Sequence, residues 1–110
     1  MKDRQIYDFV LKHYNSLKQF LKEINNNYEI FEKNELYQKA IKMDLFQIGE
    51  LVNHFSDELL MKINKKDVKG VIDIRNYIAH GYQIVNNNEV WTTLQNDLPK
   101  LIEQIEQLVA

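Results

Sequence analysis

The sequence predicts an all-α, up-and-down bundle of four main helices, five counting a short one, and three observations carry that expectation. Apolar residues recur at i, i+3 and i+4 along most of the chain, and alternation of period two is absent. Three glycines and one proline in 110 residues are too little punctuation for a sandwich or barrel of many short strands. Hydrophobic residues make up 45 %, enough for a core, so wholesale disorder is excluded. At this length one domain spanning 1–110 is the expectation.

The first helical pattern runs from Asp3 to about Asn25 on Ile6, Phe9, Val10, Leu17, Phe20, Leu21 and Ile24, with His13 filling the remaining slot of the stripe. The run Asn25–Asn27 breaks it, because asparagine competes for backbone hydrogen bonds and tolerates turns. A second pattern starts near Asn34, a candidate N-cap, and reaches about Phe55. It carries two adjacent apolar rows: Tyr37, Ile41, Leu45, Ile48, Val52 and Phe55, and then Leu36, Ala40, Met43 and Leu51. Such a wide face predicts the central helix of the bundle, or one that also serves a second contact surface. Ser56, followed by Asp57 and Glu58, caps a short extra turn through Leu60. The third helix is expected to start at an Asp67 cap and to run to His80, with Gly81 beyond its C-terminus. After the turn Asn86–Asn88 a fourth pattern uses Trp91, Leu94, Leu98, Leu101, Ile105 and Leu108. Pro99 inside it predicts a bend or a restart capped by Asp97.

Composition removes several chemistries. There is no cysteine, hence no disulfide, no thiolate zinc site and no cysteine nucleophile. No apolar run approaches the roughly 20 residues needed to cross a bilayer. The N-terminus has neither the apolar stretch nor the cleavage site of a signal peptide, so a soluble cytoplasmic protein with no membrane association is expected. The chain is mildly acidic at net −2, which argues against broad binding of a polyanion. Its charge is uneven, however. Met61–Arg75 holds Lys62, Lys65, Lys66, Lys69 and Arg75 against only Asp67 and Asp73, a local basic entry in which Lys66 and Lys69 are candidate substrate-binding residues.

One stretch departs from ordinary bundle filler: Asp73-Ile-Arg-Asn-Tyr-Ile-Ala-His-Gly-Tyr82. The apolar stripe Val68, Val71, Ile72 continues to Arg75, then Ala79 and Tyr82, so an arginine occupies a core-like position. Arginine keeps its charge and therefore requires an anionic partner, an opening to solvent, or a ligand. Asn76 and His80 are four apart and share a neighbouring face; Arg75 and His80 converge only through the length of the arginine. These types suit cleavage of an RNA phosphodiester by its own 2′-hydroxyl. His80 is the natural proton carrier, Arg75 a planar fork for the developing phosphorane charge, and Asn76 an orienting or phosphate-contacting group. The chemistry calls for no metal and no other cofactor; neither His13 nor His54 stands at zinc spacing from another ligand.

Arg75-Asn-Tyr-Ile-Ala-His80-Gly-Tyr82 resembles the Arg-x4-His-x-Tyr motif of the HEPN superfamily, specifically its HepT-like ribonuclease toxins. The resemblance extends through Lys42–Asp57 and through Val90–Leu108 with its Asn96-Asp97-Leu98-Pro99. It implies a small helical homodimer whose cleft forms where the two motif helices face each other, acting as a metal-independent endoribonuclease. It also implies a partner, an MntA-type nucleotidyltransferase antitoxin that silences the toxin by attaching AMP to the motif tyrosine. Carried over, Arg75 and His80 are catalytic, Asn76 assists and Tyr82 is the modification site. The alternative is a non-catalytic partner subunit that presents nucleotide or substrate to a minimal nucleotidyltransferase.

Ordinary structural roles compete with these. On spacing alone, Arg75 and His80 read as a salt bridge to Asp73 or Glu50 and a helix-end histidine; the complete motif with its flanks reverses that preference. His13 and His54 read as hydrogen-bonded core or interface residues. Asp44, Gln47 and Glu50 read as a solvated or interhelical polar face, and Tyr77 as packing rather than a base-stacking platform.

Overall fold

The structure, a computed structural model, describes residues 2–80 and 86–109, and among these it holds helices and no strand. Helix α1 (Asp3–Glu23) buries Ile6, Tyr7, Val10 and Leu17 on one stripe. It ends where Asn25 and Asn26 take positive φ values of 56° and 50°, left-handed conformations that asparagine tolerates better than most residues. Asn27 accepts a hydrogen bond from the Ile30 amide and caps a short α2 (Tyr28–Lys33). The sequence reading passes over this element because six residues with Phe31 alone buried offer no period to detect. Aromatic packing holds it: Phe31 and Tyr28 lie with ring centroids 5.3 and 5.6 Å from that of Trp91.

Helix α3 (Glu35–Val52) starts at its expected cap, the Asn34 side chain accepting from the Tyr37 amide at 3.2 Å. It is the central helix, packed against α1 on one side and against the motif helix on the other. Its two apolar rows have different fates. Ile41, Leu45, Ile48 and Val52 are wholly buried, whereas Leu36 and Met43 remain 73 % and 59 % exposed. Ser56 caps α4 (Asp57–Met61) as expected, and Asp3 of α1 accepts from both the amide and the hydroxyl of Ser56.

Helix α5 (Lys65–Ala79) corrects the expected start. Asn64, not Asp67, is the cap; its side chain accepts from the amides of Lys66 and Asp67. Asp67 stands one turn in, buried, and accepts from Gln104 at 2.8 Å. The end at Ala79–His80 matches the reading, while Gly81 lies outside the described residues.

The fourth pattern is α6 (Asn87–Thr92), a π-helical segment (Thr93–Asp97) and α7 (Leu98–Val109) in continuous right-handed succession. The expected restart at Pro99 with Asp97 as cap does not occur. Proline lacks the amide that the regular ladder needs and clashes with the carbonyl four residues back. Here the ladder widens just before it: the Leu98 amide reaches Thr93 O, five residues back, and the Asn96 side chain satisfies Thr92 O. Helix α7 closes the core against α1 and α5, burying Leu98, Leu101 and Ile105 completely.

Candidate active site

The last two turns of α5 carry the motif, and two faces of the helix divide its residues. Val71 and Ile74 enter the core, and Arg75 lies on the flank that crosses α3. A glycine permits that crossing. A Cβ at Gly49 of α3 would stand 2.4 Å from Arg75 Cβ and 2.8 Å from its Cγ, so the arginine stem runs over space that any other residue would fill. The guanidinium then meets three groups. Its Nε donates to Glu50 Oε1, with Nη2 beside the same oxygen; Nη1 donates to Asn76 Oδ1 at 2.9 Å; and the Phe46 ring centroid lies 5.4 Å from Cζ. The Arg75 side chain is 25 % exposed, neither sealed in the core nor free at the surface.

The structure thus supplies the anionic partner that the charge of Arg75 demands, choosing Glu50 over Asp73. Asp73 is bound instead by Lys69 at 2.6 Å, one turn back on the same helix. Of the polar row on α3, Glu50 serves the motif arginine, and Asp44 is buried and takes His13 Nδ1 at 3.1 Å. His13 is thereby the hydrogen-bonded structural residue expected, whereas His54 is exposed in the turn after α3 rather than in a core.

Asn76 and His80 lie on the adjacent face. Together with Asp73 and Tyr77 they line one surface depression at the end of α5. His80 is exposed and is the C-cap residue, its amide donating to Asn76 O at 3.1 Å. Asn76 joins the two faces, touching Arg75 on one side and opening to the depression on the other. Tyr77, expected to pack, is 45 % exposed. Tyr82, the candidate modification site, lies outside the described residues.

Lys66 and Lys69 are exposed nearer the other end of the helix, about 21 Å and 16 Å from His80 by axial rise. Lys69 is tied to Asp73, and Lys66 lines a separate polar depression with Asp67, Asp97 and Lys100. Among the described residues no three His, Asp or Glu side chains gather as a metal-ligand set, and no helix is long and apolar enough to cross a membrane. Sequence reasoning missed two contributors, Gly49 and Phe46. An isolated glycine inside a helical pattern was the available signal, since it costs helix stability unless a close approach requires it.

With this geometry in place, comparison with known proteins is specific. The family described as ribonuclease HepT-like matches residues 10–108. "Putative RNase MJ0127" of Methanocaldococcus jannaschii is 28 % identical over 82 residues, covering 74 % of this chain and 68 % of its own. "Putative RNase MJ1380" of the same organism is 26 % identical over 101 residues, 92 % of this chain and 90 % of its own. "Putative RNase TTE0752" of Caldanaerobacter subterraneus subsp. tengcongensis is 28 % identical over 83 residues, 76 % and 74 % respectively. No solved structure matches. The matched span runs from within α1 through α7 to its last residue but one, including the crossing of Arg75 over Gly49, and the chain belongs to the HepT-like ribonucleases.

Proposed function

We propose that this ribonuclease is the toxin of a two-gene system, cutting RNA without a metal at a site built from Arg75, Asn76 and His80. The observation that carries the reading is the division of labour on α5: a guanidinium held against α3 beside an asparagine and a histidine that open to one depression. Glu50 and Asn76 engage Nε, Nη2 and Nη1, and a guanidinium has five N–H donors, so capacity remains for two oxygens of a phosphate. In the proposed reaction the 2′-oxygen bonds to phosphorus as its proton leaves, and the bond to the 5′-oxygen breaks as that oxygen gains a proton. His80 carries protons and Arg75 neutralises the phosphorane oxygens. Lys66 and Lys69 add positive charge along the approach, and their contribution should fade with salt.

The site is completed by a second copy. Leu36 and Met43, the exposed part of the apolar face of α3, support a homodimer in which two α5 ends share one cleft. An MntA-type nucleotidyltransferase serves as antitoxin by adenylylating Tyr82: the tyrosine oxygen bonds to the α-phosphorus of ATP and pyrophosphate leaves. The added phosphodiester puts a negative charge into the motif that would receive RNA.

The test is incubation of the purified protein with total RNA in EDTA. Cleavage to 5′-hydroxyl ends is expected, abolished by His80→Ala with helical content retained. Intact RNA together with tight nucleotide binding would overturn the reading in favour of a non-catalytic partner subunit. Co-expression with the cognate transferase should add AMP to the wild type and leave Tyr82→Phe unmodified.

A further inference from the structure

The depression at the end of α5 has two walls that the chemistry above does not use. Asp73 and Tyr77 are four residues apart, so they stand one above the other on the helix, and with Asn76 and His80 they form a single face. Tyr77 is 45 % exposed there, whereas Val71 and Ile74 of the same helix are buried. Asp73 is not adrift either: Lys69 donates to its Oδ2 at 2.6 Å, which fixes the carboxylate at the rim of the same depression.

We propose that Tyr77 and Asp73 form a nucleobase subsite beside the scissile phosphate and set which base stands next to the cleaved bond. The inference rests on the ribonuclease reading of Arg75 and His80 and names a substrate feature that reading leaves open. An exposed phenol ring one turn from the proton carrier offers a flat apolar surface, and single-stranded RNA is recognised by stacking splayed bases on such rings while their edges are read by hydrogen bonds. The edge reader here is a carboxylate, which only accepts. It therefore favours bases that present an exocyclic amino group, as cytosine N4, adenine N6 and guanine N2 do, over uracil. A phosphate would be repelled by Asp73, so the backbone is directed toward Arg75 and Asn76 and the base toward Tyr77. The phosphate then lies between Arg75, Asn76 and His80, and the base lies farther along the same depression, toward Asp73 and Tyr77.

The experiment uses short oligoribonucleotides that differ only at the bases flanking the cleaved bond, with wild type, Tyr77→Ala, Tyr77→Phe, Asp73→Asn and His80→Ala compared at equal helical content. Tyr77→Ala should raise KM roughly tenfold, the scale of one lost stacking contact, with kcat little changed, and Tyr77→Phe should restore it. Asp73→Asn should narrow the preference for amino-bearing bases over uracil while KM for the uracil substrate stays the same. Binding of an oligonucleotide carrying 2′-deoxyribose at the scissile position, followed by fluorescence anisotropy, reads the same subsite without any chemistry. An unchanged KM, base preference and anisotropy in Tyr77→Ala would overturn the subsite, as would a loss confined to kcat, which would make Tyr77 a positioning residue. If His80→Ala cuts as well as wild type, it is the ribonuclease assignment that fails, and the anisotropy series still decides the fate of Tyr77.

Discussion

Helix α5 meets its neighbours through a glycine at two crossings, and the two are opposite in charge. Near its C-terminal end Arg75 passes over Gly49 and finds Glu50, a cation against a carboxylate, with Asn76 alongside. Nearer its start, Gly70 lies against the π segment: a Cβ there would stand 2.2 Å from Asp97 Oδ2. That carboxylate also lies near Asp67. Burial first, and then the charge of Asp67, push the Asp97 carboxyl above its ordinary range, while Lys66 and Lys100 pull it back. One crossing holds its cation against a single carboxylate with N–H donors to spare; the other is already crowded with negative charge. Lys66, exposed beside these two carboxylates, offsets part of their charge.

The largest effect is expected from Gly49→Ala. The new methyl group meets the base of a side chain rather than its flexible tip, so overpacking should cost about 1–3 kcal/mol, offset in part by about 1 kcal/mol of helix propensity. Urea denaturation reads that loss. RNA cleavage should fall by more than the stability loss explains, on the order of 100-fold, because the arginine is displaced from the phosphate position. Gly70→Ala should be milder on both counts, since the atom it meets is the end of the Asp97 side chain, which can turn away. Equal effects of the two alanines would dissolve the contrast.

Next in size is Glu50→Ala. Its pair with Arg75 is partly open to solvent, so stability should fall by only about 1 kcal/mol. Cleavage should drop about tenfold or more as the guanidinium loses its orientation, and Glu50→Gln, which keeps an acceptor, should recover much of it. Increased cleavage in Glu50→Ala would instead mark Glu50 as a competitor for the phosphate.

The smallest expected effect belongs to Asp97→Asn, within about 0.5 kcal/mol at neutral pH and in the stabilising direction. The sign follows from the raised carboxyl: the native state holds its proton to higher pH than the unfolded chain, so stability falls as pH rises between the two values. The variant should gain in Tm over wild type at pH 7 and lose that advantage in acid, with RNA cleavage unchanged. A loss of cleavage in Asp97→Asn would show that the crowded crossing also serves the site.

Much of this molecule was legible in its sequence, for reasons that are local. Asn34 and Ser56 cap helices because a short polar side chain can reach an amide two or three residues ahead whatever surrounds it. The rows of α3 and α7 are visible because burial on one face forces a 3.6-residue period. The brief α2 was not, since only Trp91, distant in sequence, gives its aromatics a reason to be ordered. The cap at Asn64 and the π segment before Pro99 lost to plausible neighbours, because competing caps differ little until the rest of the chain is packed around them.

Chemistry and helical period alone require for Arg75 an anionic partner, an opening to solvent or a ligand, for a guanidinium cannot shed its proton, and put Asn76 and His80 on one face. Which acid answers the arginine depends on how the helices pack. Asp73 is nearer along the chain, yet Lys69 holds it, and Glu50 arrives from another helix because Gly49 lets α3 and α5 approach closely enough for the two side chains to meet.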